Sequence, residues 1–397
     1  MPDGRSGVTA RGVARIADIP AAAWDACAGG DNPFLSHAFL RALEDSGCVS
    51  EKAGWTPNHI VAEDETGRLL GCAPLYLKSH SYGEYVFDWS WAEAWQRSGR
   101  DYYPKLQCAV PFTPVPGRRI LIHPDASEAQ LAPALGKVMT DLAGRASLSS
   151  VHVTFATEDQ VRLLAGQGWL IRLGEQFHWH NQGYADFDAF LATLASRKRK
   201  AIRKEREQVA ASGLALKTLV GAEITEAHWD AFFRFYMNTA SRKWGHPYLN
   251  REFFSRLGAA MGDRVVLMYA ERNGRPFAGA LNLVGRDALF GRNWGTLGDV
   301  PFLHFELCYY RAIDFAIAHG LTRVEAGAQG EHKISRGYMP VPTWSAHWIR
   351  EPSFKRAVER FLDAERAAVA HGIAAQAETG PYRKDLAAGP GSESDEE

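Results

Sequence analysis

The feature that most constrains this chain is an order of elements that occurs twice. His59 to Glu63 and Leu69 to Leu77 read as a hairpin closed by Asp64-Glu65-Thr66-Gly67, with small and polar residues between apolar runs. A long aromatic segment follows, then a helix near Glu128 to Ala143 and a strand from Val151 to Phe155. In the second half, Val265 to Glu271 and Pro276 to Val284 form the comparable hairpin through Arg272-Asn273-Gly274-Arg275. An aromatic strand (Ala288 to Trp294), a helix over about Phe302 to Ala318 and a strand (Arg323 to Ala326) come after it. This repeat predicts two copies of one α/β unit, and a length of 397 residues agrees with two domains.

Between the copies, Phe187 to Ser212 reads as two helices broken near Ser196, which serves as N-cap of the second. Trp229 to Ala240 is an amphipathic helix whose Trp229, Phe232, Phe233 and Tyr236 recur at core spacing. A last helix, Phe354 to Ala370, precedes a tail that turns acidic at its end and is expected to be disordered there. Lys plus Arg (45) nearly balances Asp plus Glu (46), which argues against a broad nucleic-acid surface and leaves anion recognition local. Five cysteines without a C-x-x-C pair point to a reducing compartment, and no apolar run approaches the length of a membrane span. The expectation is a cytoplasmic protein, compatible with peripheral contact at the inner membrane.

The most reactive-looking stretch is Gly327-Ala328-Gln329-Gly330-Glu331-His332-Lys333, followed by Ser335-Arg336-Gly337-Tyr338. It stands at the end of the last strand of the second copy. Glu331 or His332 could take a proton, and Lys333 or Arg336 could steady negative charge; an ordinary exposed turn is the plainer reading. Gly291 to Gly298 reads as a glycine-bearing turn from a strand into a helix N-terminus, a place to hold a phosphate or oxyanion. The basic run Arg197-Lys198-Arg199-Lys200, with Arg203, Lys204 and Arg206, fits a solvated helix face, a phosphate clamp or a patch for anionic headgroups. The aromatics from Tyr82 to Phe112 fit either core or a groove for a long apolar group. His178 and His180 share one face of a strand but lack a third ligand at recognisable spacing, so no metal site is expected.

This order of strand, glycine turn, helix and strand ending in a polar glycine-flanked loop resembles the acyl-transfer core of the GNAT superfamily. Two such units in one chain resemble its FemAB-like branch. The matching pieces are Asn32-Pro33-Phe34-Leu35-Ser36, Tyr102-Tyr103-Pro104-Lys105-Leu106 with Ala109 to Pro114, and Gly327 to Lys333 with Arg336-Gly337-Tyr338; the resemblance spans roughly Asp31 to Arg350. It implies that Lys333 stabilises charge as an acyl carbonyl is attacked. Two departures stand against it. The acyl-CoA signature survives only as Arg292-x-x-Gly295-x-Leu297, and the long coiled-coil arm of some peptidoglycan enzymes is missing, which weakens a transfer-RNA donor.

The fold expected is therefore α/β (α+β), two tandem GNAT-like domains, each a mixed twisted sheet flanked by helices: residues 10–182, 183–370 with the acyl-transfer site, and a 371–397 tail. The activity implied is N-acyl transfer from a thioester, acyl-CoA or another acyl carrier acting as co-substrate with no bound cofactor, to an amine. Some members of the group resemble bacterial ceramide synthases, which makes a sphingoid base or other lipid amine the first acceptor considered. Aminoacyl-tRNA-dependent transfer to a peptidoglycan precursor and a non-catalytic recognition module are the alternatives, and DNA is not an expected partner. Catalytic roles fall to Glu331, His332 and Lys333; donor binding to Arg292, Gly295, Gly298 and Arg336; substrate binding to Trp89, Trp91, Tyr103, Lys105, Phe112, Trp294 and Gln329.

Overall fold

The computed structural model describes residues 7–243, 247–328 and 330–383. The first half carries strands β1 (Thr9–Val13), β2 (Trp55–Pro57), β3 (His59–Glu63), β4 (Leu69–Ala73), β5 (Leu75–Lys78), β6 (Lys105–Cys108), β7 (Leu121–Ile122), β8 (Ser150–Ala156) and β9 (Leu170–His180). Its helices are α1 (Ala21–Ala28), α2 (His37–Asp45), α3 (Trp89–Arg97), α4 (Glu128–Arg145) and α5 (Glu158–Ala165). Then come α6 (Phe187–Ala192), α7 (Ser196–Ala210), β10 (Leu214–Val220), α8 (Glu226–Lys243), α9 (Arg251–Met261), β11 (Val265–Arg272), β12 (Arg275–Val284) and β13 (Ala288–Thr296). The chain continues with α10 (Leu303–Phe305), a π turn (Glu306–Tyr310), α11 (Arg311–Ala318), β14 (Arg323–Glu325), β15 (Met339–Ile349) and α12 (Pro352–Glu378).

Eleven strands form one sheet in the order β10-β11-β12-β13-β14-β9-β15-β8-β6-β5-β2, and β1-β3-β4-β7 form a second. Within the large sheet only two pairs are parallel, β6 with β8 and β13 with β14. A parallel pair needs a crossover, and α4 supplies one as α10 and α11 supply the other. The repeat read from the sequence is this pair of strand–helix–strand units. Its copies share one sheet because β15 inserts between β8 and β9, while β9 also pairs with β14.

Where the elements differ from expectation, local chemistry gives the reason. The run Leu69 to Leu77 breaks at Pro74, which lacks an N–H; β4 stays in the small sheet and β5 enters the large one. Ser196 is the first helical residue of α7 rather than its cap, which is Ala195, whose N–H bonds Pro381 O at 2.8 Å. The last helix passes Ala370 and ends at Glu378, because most of the residues from His371 to Glu378 favour helix, Ala above all, with Gln376 and Glu378. The acidic end of the tail lies outside the described residues. Among the described residues no helix is long and apolar enough to cross a membrane.

Candidate active site

A cleft opens where the parallel pair of the second copy comes apart. Ala288, Leu289 and Phe290 pair with Arg323, Val324 and Glu325, and there the ladder stops. Beyond it the later chain stays with β9, through Ala326 N–H to Phe177 O and Phe177 N–H to Gly327 O, both 3.1 Å. Meanwhile β13 follows β12, with a bulge: Leu281 faces Asn293 and Asn282 faces Gly291, so Arg292 is the extra residue. A bulge leaves its extra residue out of the ladder and re-aims it. The gap holds a cavity of about 100 Å³ whose wall includes Asn282, Arg292, Asn293, Trp294, His304, Cys308, Tyr309 and Ala326.

The polar loop read from the sequence borders this cleft as a short 3-10 helix, Glu331–Arg336. Gly330 has φ of 106°, and a Cβ there would collide with the His332 ring, so only glycine lets the loop turn. Lys333 folds back and is 4% exposed, its Nζ donating to Ala326 O (2.6 Å) and Gly327 O (3.1 Å). Those acceptors belong to the strand end that forms the cleft edge. Burial lowers the lysine pKa to about 8, with Cys308 as the neighbour that opposes the shift. An ammonium offers three donors, and among the described residues the third has no partner.

His332 is exposed, and its Nε2 lies 3.1 Å from the Tyr309 hydroxyl, which joins the cleft wall to solvent. The Glu331 side chain and all of Gln329 lie outside the described residues. Arg336, expected to contact a donor anion, has each of its five N–H groups engaged. They go to Tyr310 Oη (2.9 Å), His332 O (2.8 Å), Ser335 Oγ (3.1 Å) and both Glu205 oxygens (2.8 and 2.9 Å). Its plane also covers Phe305 at 3.5 Å. Arg336 therefore clamps the loop to α7.

The expected phosphate cradle is not formed. Gly291 to Thr296 is strand, and a Cβ on Gly295 would collide with the Phe235 backbone of α8, so this glycine serves close helix–strand packing. The N–H groups of Leu297 and Gly298 bond Phe277 O (2.9 Å) and Thr296 Oγ1 (3.3 Å). Arg292 reaches across to the first half, donating to Phe112 O and Thr113 Oγ1, while it also lines the cleft. Trp294 lies on the cleft wall, its ring 5.3 Å from His304.

The remaining substrate-binding candidates are elsewhere. Trp91 packs with Trp95, Tyr102, Val358 and Leu362 in a core cluster, and Phe112 is buried in the core between the halves. Trp89 is half-buried against Tyr82. Lys105 has no exposed surface and pairs with Glu84 (2.8 Å) and Asp88 (2.5 Å), with the Tyr103 hydroxyl on Ser81 (2.8 Å) beside it. Burial alone would push the lysine down, but the two carboxylates hold its pKa above the ordinary value. This cluster fastens the loop between β5 and α3 to β6. In the first copy the matching opening between β6 and β8 is filled by chain: Gly117 N–H bonds Phe155 O at 3.0 Å, and Cys108 Sγ lies 3.6 Å from Arg119 O.

Three residues that sequence reasoning passes over, Asn282, Cys308 and Tyr309, line the cleft. The one available signal is the place of Cys308-Tyr309 on the helix that follows the central strand. His178 and His180 do face one side, with ring centroids 6.4 Å apart; among the described residues no group of three His, Cys, Asp or Glu is placed to hold a metal ion.

Comparison with known proteins agrees with this architecture. The FemAB-like family, described as peptidoglycan biosynthesis/recognition, matches residues 15–384. The fold is similar to that of the C-terminal domain of a putative lysylphosphatidylglycerol synthetase from Agrobacterium fabrum, at 10% identity and a TM-score of 0.54, covering 86% of this chain and 94% of that one. FemX is similar at 11% identity and a TM-score of 0.54, covering 86% of this chain and 98% of that one. L-PGS from Bacillus licheniformis follows at 10% identity and a TM-score of 0.50, covering 81% and 95%. No curated protein sequence matches the chain.

Proposed function

The chain belongs to the FemAB-like family, a transferase branch of the GNAT fold, and we propose that it moves an acyl group from an activated ester or thioester to an amine at the opening between β13 and β14. The observation that carries this reading is the buried Lys333, held by the strand-end carbonyls with one donor left over among the described residues. The donor carbonyl would lie in the opening, where the ammonium and the backbone of the Arg292 bulge face the oxygen that gains charge. The amine proton would leave through Tyr309 and His332 toward solvent.

A lipid amine is the acceptor we favour. The apolar space lined by Phe34, Phe39, Phe253 and Leu257, which shares Leu281, Arg292 and Asn293 with the cleft, is only about 10 Å³ and too small for an alkyl chain, so the support for a lipid lies at the surface. Tyr82 (57% exposed) and Phe87 (54%) stand on the first-half loop whose Tyr85 acts electrostatically on Arg292. Acyl-CoAs of graded chain length, incubated with the protein with and without a long-chain amine, test the reading. Sustained, multiple-turnover thiol release that requires the amine is expected; silence with every thioester would remove it.

A second reading has its own support. The turn before α10 carries Asp299 and Pro301 and no cation, a poor seat for the diphosphate of CoA. An aminoacyl-tRNA donor and a peptidoglycan precursor would then apply, in line with a family described by peptidoglycan biosynthesis/recognition. Product formation from that pair, with none from acyl-CoA, would select it.

A further inference from the structure

Four of the five cysteines are buried, and Cys308 is the half-exposed one. It stands on the π turn Glu306–Tyr310, and both Cys308 and its neighbour Tyr309 reach the cleft wall. A π turn widens the helix by one residue and is frequent at functional sites. In the same cavity is Asn282, 1% exposed, whose Nδ2 donates to Ala280 O at 3.1 Å while its Oδ1 accepts no hydrogen bond among the described residues. A buried amide with an unused oxygen on a cavity wall calls for a polar ligand. At the cleft edge, bonded to Ala326 O and Gly327 O, Lys333 is a cation whose charge the Cys308 sulfur influences. A thiolate beside a cation is the nucleophilic form of cysteine.

We propose that Cys308 carries the acyl group as a covalent thioester between donor and acceptor. The inference rests on the acyl-transfer reading above and goes beyond it, since direct attack by the amine would need no cysteine. In the first step the Cys308 sulfur attacks the donor carbonyl carbon. A carbon–sulfur bond to the protein forms, the bond to the carrier sulfur or oxygen breaks, and the carrier leaves with the proton that Cys308 gave up. In the second step the amine attacks the protein thioester, a carbon–nitrogen bond forms, the bond to Cys308 breaks, the amine proton leaves through Tyr309 and His332, and the departing sulfur takes a proton from solvent to restore the thiol. Neither step oxidises or reduces anything. Asn282 shares the cavity wall with Cys308 and would bind the polar atoms of the acyl group, while Lys333 at the cleft edge acts electrostatically on the sulfur as its charge changes.

The experiment uses the full chain with octanoyl-CoA, palmitoyl-CoA or an aminoacyl ester, first without amine. The expected result is a stoichiometric burst of released carrier and a gain of one acyl mass that hydroxylamine removes. Peptide mapping should place that mass on Cys308, and an added amine should discharge it to amide. Cys308→Ser and Cys308→Ala should lose the burst and at least about 100-fold in turnover, as loss of a covalent nucleophile does. Turnover in the wild type without an adduct, a Cys308→Ala variant within about twofold of wild type, or an adduct that the amine cannot discharge would each overturn the covalent step while leaving N-acyl transfer standing. Absence of both adduct and turnover with every donor would overturn the two readings together.

Discussion

Lys333 holds a charge that depends on pH within the working range. Its pKa of about 8 lies below the ordinary lysine value, so the cation is present below about pH 8 and lost as pH rises through it. If the ammonium stabilises the oxyanion, kcat/KM should fall above about pH 8 with a slope of one proton. Lys333→Arg should move that limb above about pH 10, because a guanidinium keeps its proton there. Lys333→Met should lower kcat by about 100- to 1000-fold. A wild-type profile that stays flat through about pH 8 would remove the assignment. Linkage through this lysine does not itself unfold the protein across the limb. A lysine whose native pKa is depressed makes the native state bind fewer protons than the unfolded chain between about pH 8 and its ordinary value, so this group adds stability as pH rises across that window.

At the scale of elements, the site is a short helix fastened at one end to a strand and at the other to α7. The Arg336–Glu205 pair makes the second attachment, largely out of solvent. Glu205→Gln and Arg336→Met should each lower activity, and a double-mutant cycle on thermal stability should show a coupling of about 1–3 kcal/mol; additive effects would mean that the clamp is incidental. Lys105→Met should destabilise by about 3–5 kcal/mol, because Glu84 and Asp88 would remain buried without their cation. Equilibrium urea unfolding measures it, and a change under about 1 kcal/mol would contradict the burial argument. Much of this level is legible in the sequence. The hairpins, the long helices and the polar loop announce themselves through apolar periodicity and turn residues. Gly295 misleads because a glycine that admits a packed helix looks the same in sequence as one that turns the chain. Trp91 and Lys105 mislead because aromatic and charged residues look like a groove until their buried partners are known. Asn282, Cys308 and Tyr309 are silent, since a cleft wall on the helix side of a sheet has the spacing of ordinary core.

For the whole molecule, the repeat is visible in the sequence but its joining is not. Nothing in the spacing of Met339 to Ile349 says that it will sit between β8 and β9, because both of its neighbours belong to the other copy or to the strand that bridges them. A cut in the loop between His180 and Phe187 tests that joining. Residues 1–183 alone should aggregate or stay unfolded, and co-expression with 184–397 should give a soluble complex. A soluble, cooperative 1–183 fragment would show that β15 is dispensable to the first half. The inserted strand also sets a timetable. On the ribosome the edges of β8 and β9 are made long before β15 emerges, so the first copy must wait, unfinished and adhesive, for the last strand among the described residues. Chaperone demand during synthesis, and sensitivity to premature termination late in the message, follow from that order of assembly.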